Sequence, residues 1–251
     1  MRIKVISTDS GNTPEDLIKK AQLLKTAASP DTEIVVECQT DTTVCVDSNV
    51  DVVITGPEAL LKAQKAEDDG FDAVCLYCGS DPGYDAMREL LHIPVIGAAH
   101  AAFAMASCLG YQYSFITTSA RRIPQKREFA RTCCDISRLA SIRAIEHDMS
   151  GGHDGPEARV NTIKMLSEVA KQCAEEDGAD VVILGCLSFA GMGAEISKRS
   201  GVTIVDPAFA VITMAEAVVR QGISHSKIAY PDIPDAVRNW KGGELNTPFG
   251  K

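Results

Sequence analysis

Short apolar runs alternate with helical patterns along the chain, and this alternation limits the fold more than any other feature. Strands separated by helices form parallel sheets with right-handed crossovers. The sequence therefore predicts an α/β protein. The predicted strands are Arg2–Ser7, Glu33–Cys38, Ala73–Tyr77, Val95–Ile96, Ser114–Thr118, Ile142–Glu146, Val181–Gly185 and Thr203–Val205. The predicted helices are Pro14–Thr26, Pro57–Asp68, Pro82–Leu91, His100–Leu109, Arg122–Cys133, Pro156–Glu175, Gly191–Lys198 and Ala208–Arg220.

An internal repeat adds a second constraint. Asp69–Cys78 reads DGFDAVCLYC and Asp177–Cys186 reads DGADVVILGC, an offset of 108 residues from Cys78 to Cys186. Further along, Pro94–Gly97 corresponds to Thr203–Asp206 after one inserted residue. The repeat predicts two pseudo-symmetric lobes, each a parallel-sheet α/β sandwich, with the active site in the cleft between them. We expect residues 1–97 plus about 207–251 to form lobe 1 and about 98–206 to form lobe 2.

Composition excludes several classes of partner. The chain of 251 residues has a net charge of −9, so phosphate backbones repel it and nucleic-acid binding is not expected. No apolar run reaches the roughly 18–20 residues that cross a bilayer, and the first residues lack the apolar core of a signal peptide. An odd count of nine cysteines favours reduced thiols over a disulfide framework. We therefore expect a cytoplasmic protein without a membrane partner.

The two cysteines matched by the repeat suggest a chemistry. Cys78 and Cys186 each follow a predicted strand, and ligands of parallel sheets bind at the carboxyl ends of strands. Pseudo-symmetry would set the two thiols opposite each other. Inversion of a carbon acid needs a base on one face and an acid on the other, and a thiol can serve as either. Backbone N–H groups of the following turns would stabilise a developing enolate oxygen.

These residues resemble the aspartate/glutamate/hydantoin racemase superfamily, and within it the hydantoin (allantoin) racemase branch. The family loop Cys-x-x-Asp-Pro-Gly is present as Cys78–Gly83, and its Leu-Gly-Cys motif as Leu184–Cys186. A Thr-Thr pair after a central strand appears as Thr117-Thr118, and the segment Arg138–Ile145 is also similar to this branch. The resemblance covers roughly residues 1–230.

The resemblance implies a racemase that needs neither pyridoxal phosphate nor a metal, acts on a small molecule and forms a homo-oligomer. It implies that Cys78 and Cys186 are the acid/base residues for 5-substituted hydantoins, with allantoin as one possible substrate. Which cysteine serves which enantiomer stays open. The implied substrate-binding residues are Gly79, Ser80, Thr117, Thr118 and Leu187, to which we add Asp9 and Ser10 at the predicted cleft mouth.

Two departures from the family pattern leave alternatives open. The first loop is Asn-Pro-Asn-Thr-like in the family, whereas Ser7–Gly11 is similar to the Asp-Ser loop of amino-acid racemases. An aspartate or glutamate racemase is therefore one alternative, and a maleate-isomerase-like enzyme with a nucleophilic cysteine is another. A small-molecule binding protein without activity is the third, although it has no use for two matched thiols. His100 stands where the family often carries Glu, and its role is open.

Other conspicuous residues have simpler interpretations. Cys75 falls inside an apolar strand, so packing explains it better than a redox or zinc role. Arg121 and Arg122 are expected at a solvated helix start, and His147 and His153 in a solvated loop. For the tail after about Lys227, the sequence leaves open whether it covers the first lobe or stays mobile.

Overall fold

The computed structural model describes residues 1–41, 45–146, 156–234, 237–240 and 243–246. Its strands are β1 Arg2–Ser10, β2 Glu33–Gln39, β3 Ala73–Tyr77, β4 Val95–Gly97, β5 Tyr113–Thr117, β6 Leu139–Ala144, β7 Val181–Leu184, β8 Thr203–Val205, β9 Val237–Trp240 and β10 Gly243–Asn246. Its helices are α1 Pro14–Lys25, α2 Asn49–Asp68, α3 Tyr84–Leu90, α4 Ala98–Leu109, α5 Ile123–Cys133, α6 Pro156–Glu175, α7 Gly193–Ser200 and α8 Pro207–Arg220. Each of the eight predicted strands and eight predicted helices is present, although several of their bounds differ from the prediction.

The strand order explains where a ligand is expected to bind. One four-stranded parallel sheet has the order β2-β1-β3-β4, and another has the order β6-β5-β7-β8. The two orders are identical once four is added to each strand number of the first sheet, as the sequence repeat predicts. In each sheet the connections run outward in opposite directions from the two middle strands. A crevice opens at the carboxyl ends of strands at such a switch point, which is β1 beside β3 and β5 beside β7.

The chain divides into two compact units. Unit 1 contains Met1–Gly97 and Val211–Lys251, and unit 2 contains Ala98–Ala210. The core of unit 1 packs β1, β3 and β4 against α2 and α3, with Leu76 and Met87 fully buried. The core of unit 2 packs β5 and β7 against α6 and α7, with Leu184 and Phe189 fully buried. Among the helices of the described ranges, none combines the length and apolar character needed to cross a bilayer.

The start of α2 corrects a sequence prediction. A proline is favoured in the first turn of a helix, and on that basis Pro57 was expected to begin this one. The helix instead begins at Asn49, and Ser48 caps it by accepting a hydrogen bond from the Asp51 N–H at 3.2 Å. Pro57 lies inside the helix, where it lacks the N–H that would bond to the carbonyl one turn earlier. The Ser48 cap therefore outweighs the proline signal.

The tail packs on unit 1 in its described part and adds strands that the sequence did not predict. The Lys227 ammonium donates to the carbonyls of Arg88 and Glu89 at 2.9 Å each, at the end of α3. The Arg88 guanidinium lies 4.1 Å from the Tyr84 ring centre and 5.1 Å from that of Tyr230. Beyond these contacts, β9 and β10 pair as an antiparallel hairpin. The tail thus holds the helix that follows the Cys78 loop.

His225 makes this contact sensitive to pH. Its Nε2–H donates to the Leu91 carbonyl at 2.8 Å. Burial lowers the pKa of His225 below its ordinary value, the bond to Leu91 opposes this, and the charges of Lys227 and Arg88 lower it further. Because the folded pKa is depressed, the contribution of a neutral His225 to stability is present above the unfolded pKa of about 6.5. It is lost as the pH falls through the lower folded value.

We predict that His225→Gln reduces the pH dependence of stability. Between about pH 7.5 and about pH 5.5, the urea midpoint of the wild type should fall more than that of the variant. The reason is that His225 of the wild type binds a proton more readily in the unfolded chain than in the folded one, so a lower pH favours unfolding. Glutamine does not titrate. Urea denaturation followed by circular dichroism measures both midpoints. Equal pH dependence in the two proteins would contradict the assignment.

Candidate active site

In unit 1, the switch point brings Cys78 to the carboxyl end of β3. Ser7 of β1 pairs with Tyr77 of β3, so Cys78 leaves the sheet beside the last residues of β1. Cys78 and Ser80 are each 7% exposed, and Gly79 between them is half-buried. Asp81 follows with a φ of 41°, and Gly83 then starts α3 in the left-handed conformation. The loop therefore turns sharply and carries its polar groups inward.

Asp9 and Ser10 lie at the same edge of the sheet. The pairing of β1 with β2 shifts between Ser7 and Ser10, and such a bulge re-aims side chains at the end of a strand. The Asp9 carboxylate accepts from Lys20 Nζ at 2.8 Å and from the Ser7 hydroxyl. Burial alone would raise the pKa of Asp9, but the Lys20 charge and these hydrogen bonds hold it below its ordinary value. Asp9 is therefore an ionised carboxylate that Lys20 neutralises.

In unit 2, Cys186 holds the corresponding position after β7. Ile116 of β5 pairs with Leu184 of β7, and the Gly185 N–H donates to the Ile116 carbonyl at 2.7 Å. A Cβ on Gly185 would overlap that carbonyl and would lie 2.5 Å from Cζ of the Phe115 ring. Glycine is thus required immediately before Cys186, because β5 approaches the backbone there. This close approach explains the Leu-Gly-Cys motif in physical terms.

The other predicted binding residues of unit 2, Thr117, Thr118 and Leu187, lie at the same end of the sheet as Cys186. Thr117 and Thr118, at the end of β5, are 2% and 5% exposed. Leu187 is buried in a short 3₁₀ turn, Leu187–Phe189, which follows Cys186 directly. Each unit therefore brings its own predicted residues to one sheet edge.

Ser188 is a residue that the sequence interpretation missed. Its hydroxyl donates to Cys186 Sγ at 3.1 Å. A hydrogen bond to a sulfur that becomes negatively charged stabilises the thiolate. The signal was available in the repeat, because Cys78-Gly79-Ser80 and Cys186-Leu187-Ser188 both carry serine two residues after the cysteine.

Thr8 was missed as well. Extending the β1–β3 pairing by one residue sets Thr8 level with Cys78, and extending the β5–β7 pairing by two sets Thr118 level with Cys186. Thr8 is 4% exposed. In unit 1, Thr8 therefore holds the position of Thr118, and the predicted residues Asp9 and Ser10 follow it directly in β1. Sequence patterning did not single out Thr8.

Several other residues take different roles. Cys75 is fully buried, and burial raises the pKa of its thiol well above the ordinary value, which confirms the packing interpretation. All nine cysteines lie in the described ranges as thiols. His100, in the first turn of α4, has its Nδ1 3.8 Å from Cys133 Sγ. His147 and His153 lie outside the described residues.

The expectation of a solvated basic pair was wrong for Arg122. Arg121 is exposed, but Arg122 is 5% exposed and its Nη2 donates to Gln125 Oε1 at 2.7 Å. Lys126, one turn on, is also buried, with Nζ 5.7 Å from the Phe115 ring centre. Aromatic faces offset part of the cost of burying a cation. The 3₁₀ turn before α5 directs Arg122 inward, and a charge pattern in the sequence does not show that.

Two parallel sheets of the same strand order, each with a cysteine turn after its third strand in chain order, define a duplicated α/β fold. The profile of the family described as Asp/Glu/Hydantoin racemase matches residues 4–215. The chain belongs to this family and is a racemase. A hydantoin racemase of Rhizobium meliloti is 30% identical over 223 residues, which cover 88% of this chain and 88% of that protein.

Solved structures agree with this assignment. The crystal structure of allantoin racemase from Pseudomonas fluorescens matches with a TM-score of 0.83 at 32% identity, covering 95% of this chain and 100% of that one. An allantoin racemase from Klebsiella pneumoniae matches with a TM-score of 0.82 at 26% identity, covering 94% and 95% of the two chains. The two-lobed α/β fold predicted from the repeat is thereby confirmed.

We predict that Gly185→Ala destabilises the protein and lowers racemase activity. The new methyl group must displace the Phe115 ring or the β5 backbone, and overpacking of this kind costs about 1–3 kcal/mol. Urea unfolding and a polarimetric assay would measure the two effects. Gly56→Ala is the matched control, because a Cβ on Gly56 would have nothing within 4 Å outside its own helix backbone. Wild-type stability in Gly185→Ala would contradict the packing argument.

Proposed function

We propose that this protein racemises 5-substituted hydantoins, allantoin among them, by two-base proton transfer between Cys78 and Cys186. One observation carries the proposal. Each thiol follows the corresponding strand of its own sheet, β3 in one and β7 in the other, and the two sheets have the same strand order. The names of the relatives support the substrate class, since those relatives are hydantoin and allantoin racemases.

The chemistry of the substrate fits two thiols. The hydantoin C5–H lies between a ring carbonyl and a ring nitrogen, so its removal leaves an enolate whose charge rests on the carbonyl oxygen. One cysteine, as thiolate, takes this proton and becomes a thiol. The other cysteine, as thiol, donates its proton to the opposite face of C5 and becomes a thiolate. Atoms and charge balance, and the reverse turnover uses the same two groups in exchanged roles.

The enolate oxygen and the ring amides need hydrogen-bond partners. We propose that backbone N–H groups of Gly79, Ser80 and Leu187 serve as donors, and that the Thr117 and Thr118 hydroxyls hold the ring. Preorganised donors of this kind stabilise charge that develops in the transition state. We assign Asp9 and Ser10 to the substrate's polar substituent, because they lie at the carboxyl end of β1, beside Cys78.

We propose that the reaction needs no pyridoxal phosphate and no metal. The carbonyl beside C5 already delocalises the carbanion charge, which is the task that such groups perform for amino acids. Activity should therefore be unchanged by a chelator and by a carbonyl reagent that traps pyridoxal phosphate. A cytoplasmic location stays a prediction from the sequence, and a homo-oligomeric assembly stays what the family resemblance implies.

Aspartate or glutamate racemisation is the alternative within the same fold. An amino-acid substrate would present an ammonium group, for which Asp9 is the acidic residue that the sequence suggested. The Lys20 ammonium already neutralises that carboxylate at 2.8 Å, which disfavours a second cation there. This observation favours a neutral ring over an amino acid. An isomerase with a nucleophilic cysteine would show no exchange of the α-proton, so the same assay separates it.

We predict that Cys78→Ser and Cys186→Ser each abolish racemisation. The test is proton NMR of α-hydrogen exchange in D₂O with optical rotation in parallel. The panel contains both enantiomers of 5-alkyl and 5-aryl hydantoins, allantoin, aspartate and glutamate. Each variant should lose about 10²- to 10⁴-fold in racemisation rate, because serine is a poor acid/base group at neutral pH. Exchange that survives for a single enantiomer would assign the remaining thiol to that face.

Cys108→Ser is the control, since Cys108 lies exposed near the end of α4, away from both strand ends. It should keep the wild-type rate. Exchange with amino acids alone would replace the hydantoin proposal with the alternative. Full activity in either catalytic-cysteine variant would overturn the two-base mechanism.

We predict that Ser188→Ala slows proton removal by Cys186. The Ser188 hydroxyl fixes the position of the Cys186 sulfur, and because a displaced reacting group can cost up to about a hundredfold in rate, we expect a loss of about tenfold. The fall should appear in α-proton exchange with retention for the enantiomer that Cys186 deprotonates, whereas kcat/KM for racemisation must fall equally for both enantiomers. Ser188→Thr keeps the hydroxyl and should restore most of the rate. An equal loss in the alanine and threonine variants would show that the hydroxyl bond to sulfur is not the cause.

A further inference from the structure

We propose that one buried aspartate carboxylate in each unit positions the turn that carries the reactive thiol, Asp206 for Cys186 and Asp81 for Cys78. The two carboxylates occupy equivalent positions but belong to different segments. Asp206 follows the last strand of its sheet, whereas Asp81 lies in the loop after Cys78. The assignment rests on the proposed function, because it treats both cysteines as acid/base residues. Asp81 and Asp206 are positioning residues that act through the backbone of the turn.

The equivalence follows from the strand pairing. Leu76 of β3 pairs with Gly97 at the end of β4. In the other sheet Ile183 pairs with Val205, so the next residue along, Leu184, comes level with Asp206. Gly97 and Asp206 thus occupy equivalent positions in the two sheets. Each lies beside the residue that comes two positions before the cysteine, Leu76 or Leu184. One position has no side chain and the other has a carboxylate.

In unit 2 the carboxylate comes from the sheet. Asp206 is 8% exposed, and its Oδ2 accepts from the Gly191 N–H at 2.7 Å while Oδ1 accepts from the Ala208 N–H at 3.0 Å. The Gly193 N–H also donates to this carboxylate. Gly191 ends the turn that begins at Cys186. The side chain therefore ties the end of β8 and the start of α8 to the cysteine turn.

In unit 1 the carboxylate comes from the loop. Asp81, three residues after Cys78, is 4% exposed. A Cβ on Gly97 would lie 2.5 Å from Asp81 Cγ and 2.9 Å from Oδ1. The Asp81 carboxylate therefore fills the space above Gly97 that a side chain would otherwise take. Three residues after Cys186 the chain carries Phe189, which is fully buried and apolar. Unit 1 therefore supplies this carboxylate from the loop after its cysteine, and unit 2 supplies it from the residue after β8.

A carboxylate in this place fixes the thiol because the turn is short. Hydrogen bonds from backbone N–H groups to a carboxylate are stronger than those to neutral acceptors. A displacement of about 1 Å in a reacting group can cost about a hundredfold in rate. Gly97 is required for the same reason as the carboxylate, since a methyl group there would push Asp81, and with it the Cys78 loop, out of place.

The test measures α-proton exchange with retention of configuration in D₂O, separately for the two enantiomers of one 5-substituted hydantoin. Exchange with retention uses one cysteine alone, whereas inversion has an equilibrium constant of one and must slow equally from both sides. Asp206→Asn should slow exchange about tenfold to a hundredfold for the enantiomer assigned to Cys186, with a much smaller effect on the other. Gly97→Ala should show the opposite preference. Each variant is the control for the other, because general destabilisation would slow both enantiomers alike. Equal slowing of both enantiomers, or no slowing in either variant, would overturn the proposal.

A residue exchange tests the equivalence directly. Asp81→Gly alone removes the carboxylate, and Gly97→Asp alone crowds it. The double variant Asp81→Gly/Gly97→Asp rebuilds in unit 1 the arrangement that unit 2 uses, and glycine accepts the positive φ at position 81. We expect the double variant to exchange the Cys78-dependent enantiomer at least about tenfold faster than either single variant. A double variant no faster than the faster single variant would contradict the equivalence.

A second readout separates this proposal from the proposed function. The rates at which iodoacetamide alkylates Cys78 and Cys186, followed by mass spectrometry, need no substrate. Asp206→Asn should change the Cys186 rate by at least about threefold and leave the Cys78 rate unchanged, and Gly97→Ala should do the reverse. If no hydantoin exchanges with the wild type, the proposed function fails while these rates still decide the positioning roles. Unchanged rates in both variants would overturn the positioning roles.

Discussion

The structure depends on the parallel pairing of a middle strand with the strand that carries the cysteine. β1 pairs with β3 and β5 with β7, so all four strands end at the carboxyl edge of their sheets. Ligands of parallel sheets bind at this edge, where the flanking helices start with their N–H groups. The close approach of β5 to Gly185 shows how tightly this pairing sets the position of a thiol. The proposed roles of Asp9, Ser10, Thr117 and Thr118 follow from that register.

A duplicated scaffold need not use the same side chains twice. The two sheets keep one strand order, but β1 ends with Asp9 and Ser10, and Lys20 of α1 pairs with Asp9, whereas Thr117 ends β5 and Thr118 follows it. A substituted hydantoin is itself asymmetric, with a ring to hold and one substituent to accommodate. Repeated strands can supply two equivalent proton-transfer positions, and different loops can supply unlike surroundings. The exchanged aspartates, Asp81 and Asp206, belong to this difference between otherwise equivalent halves.

The sequence was sufficient for the elements whose signals are local. The strands were found because short runs of Val and Ile are flanked by turn residues, and the repeat predicted that both cysteines follow equivalent strands. Features that depend on tertiary contacts were not found. The start of α2 depends on the Ser48 cap, the burial of Arg122 on Gln125 and the adjacent 3₁₀ turn, and the role of Asp206 on a loop fifteen residues earlier. The hydrophobic periodicity of a segment predicts its secondary structure, but it does not show which distant residue a side chain contacts.

The most direct measurement is a crystal structure of the wild-type protein with a 5-substituted hydantoin bound. The two-base account predicts that C5 lies between Cys78 Sγ and Cys186 Sγ, about 3.5 Å from each and on opposite faces of the ring. It also predicts that the carbonyl next to C5 accepts hydrogen bonds from backbone N–H groups of the cysteine turns. A hydantoin bound with a sulfur on one face of C5 alone, or away from both cysteines, would contradict the account.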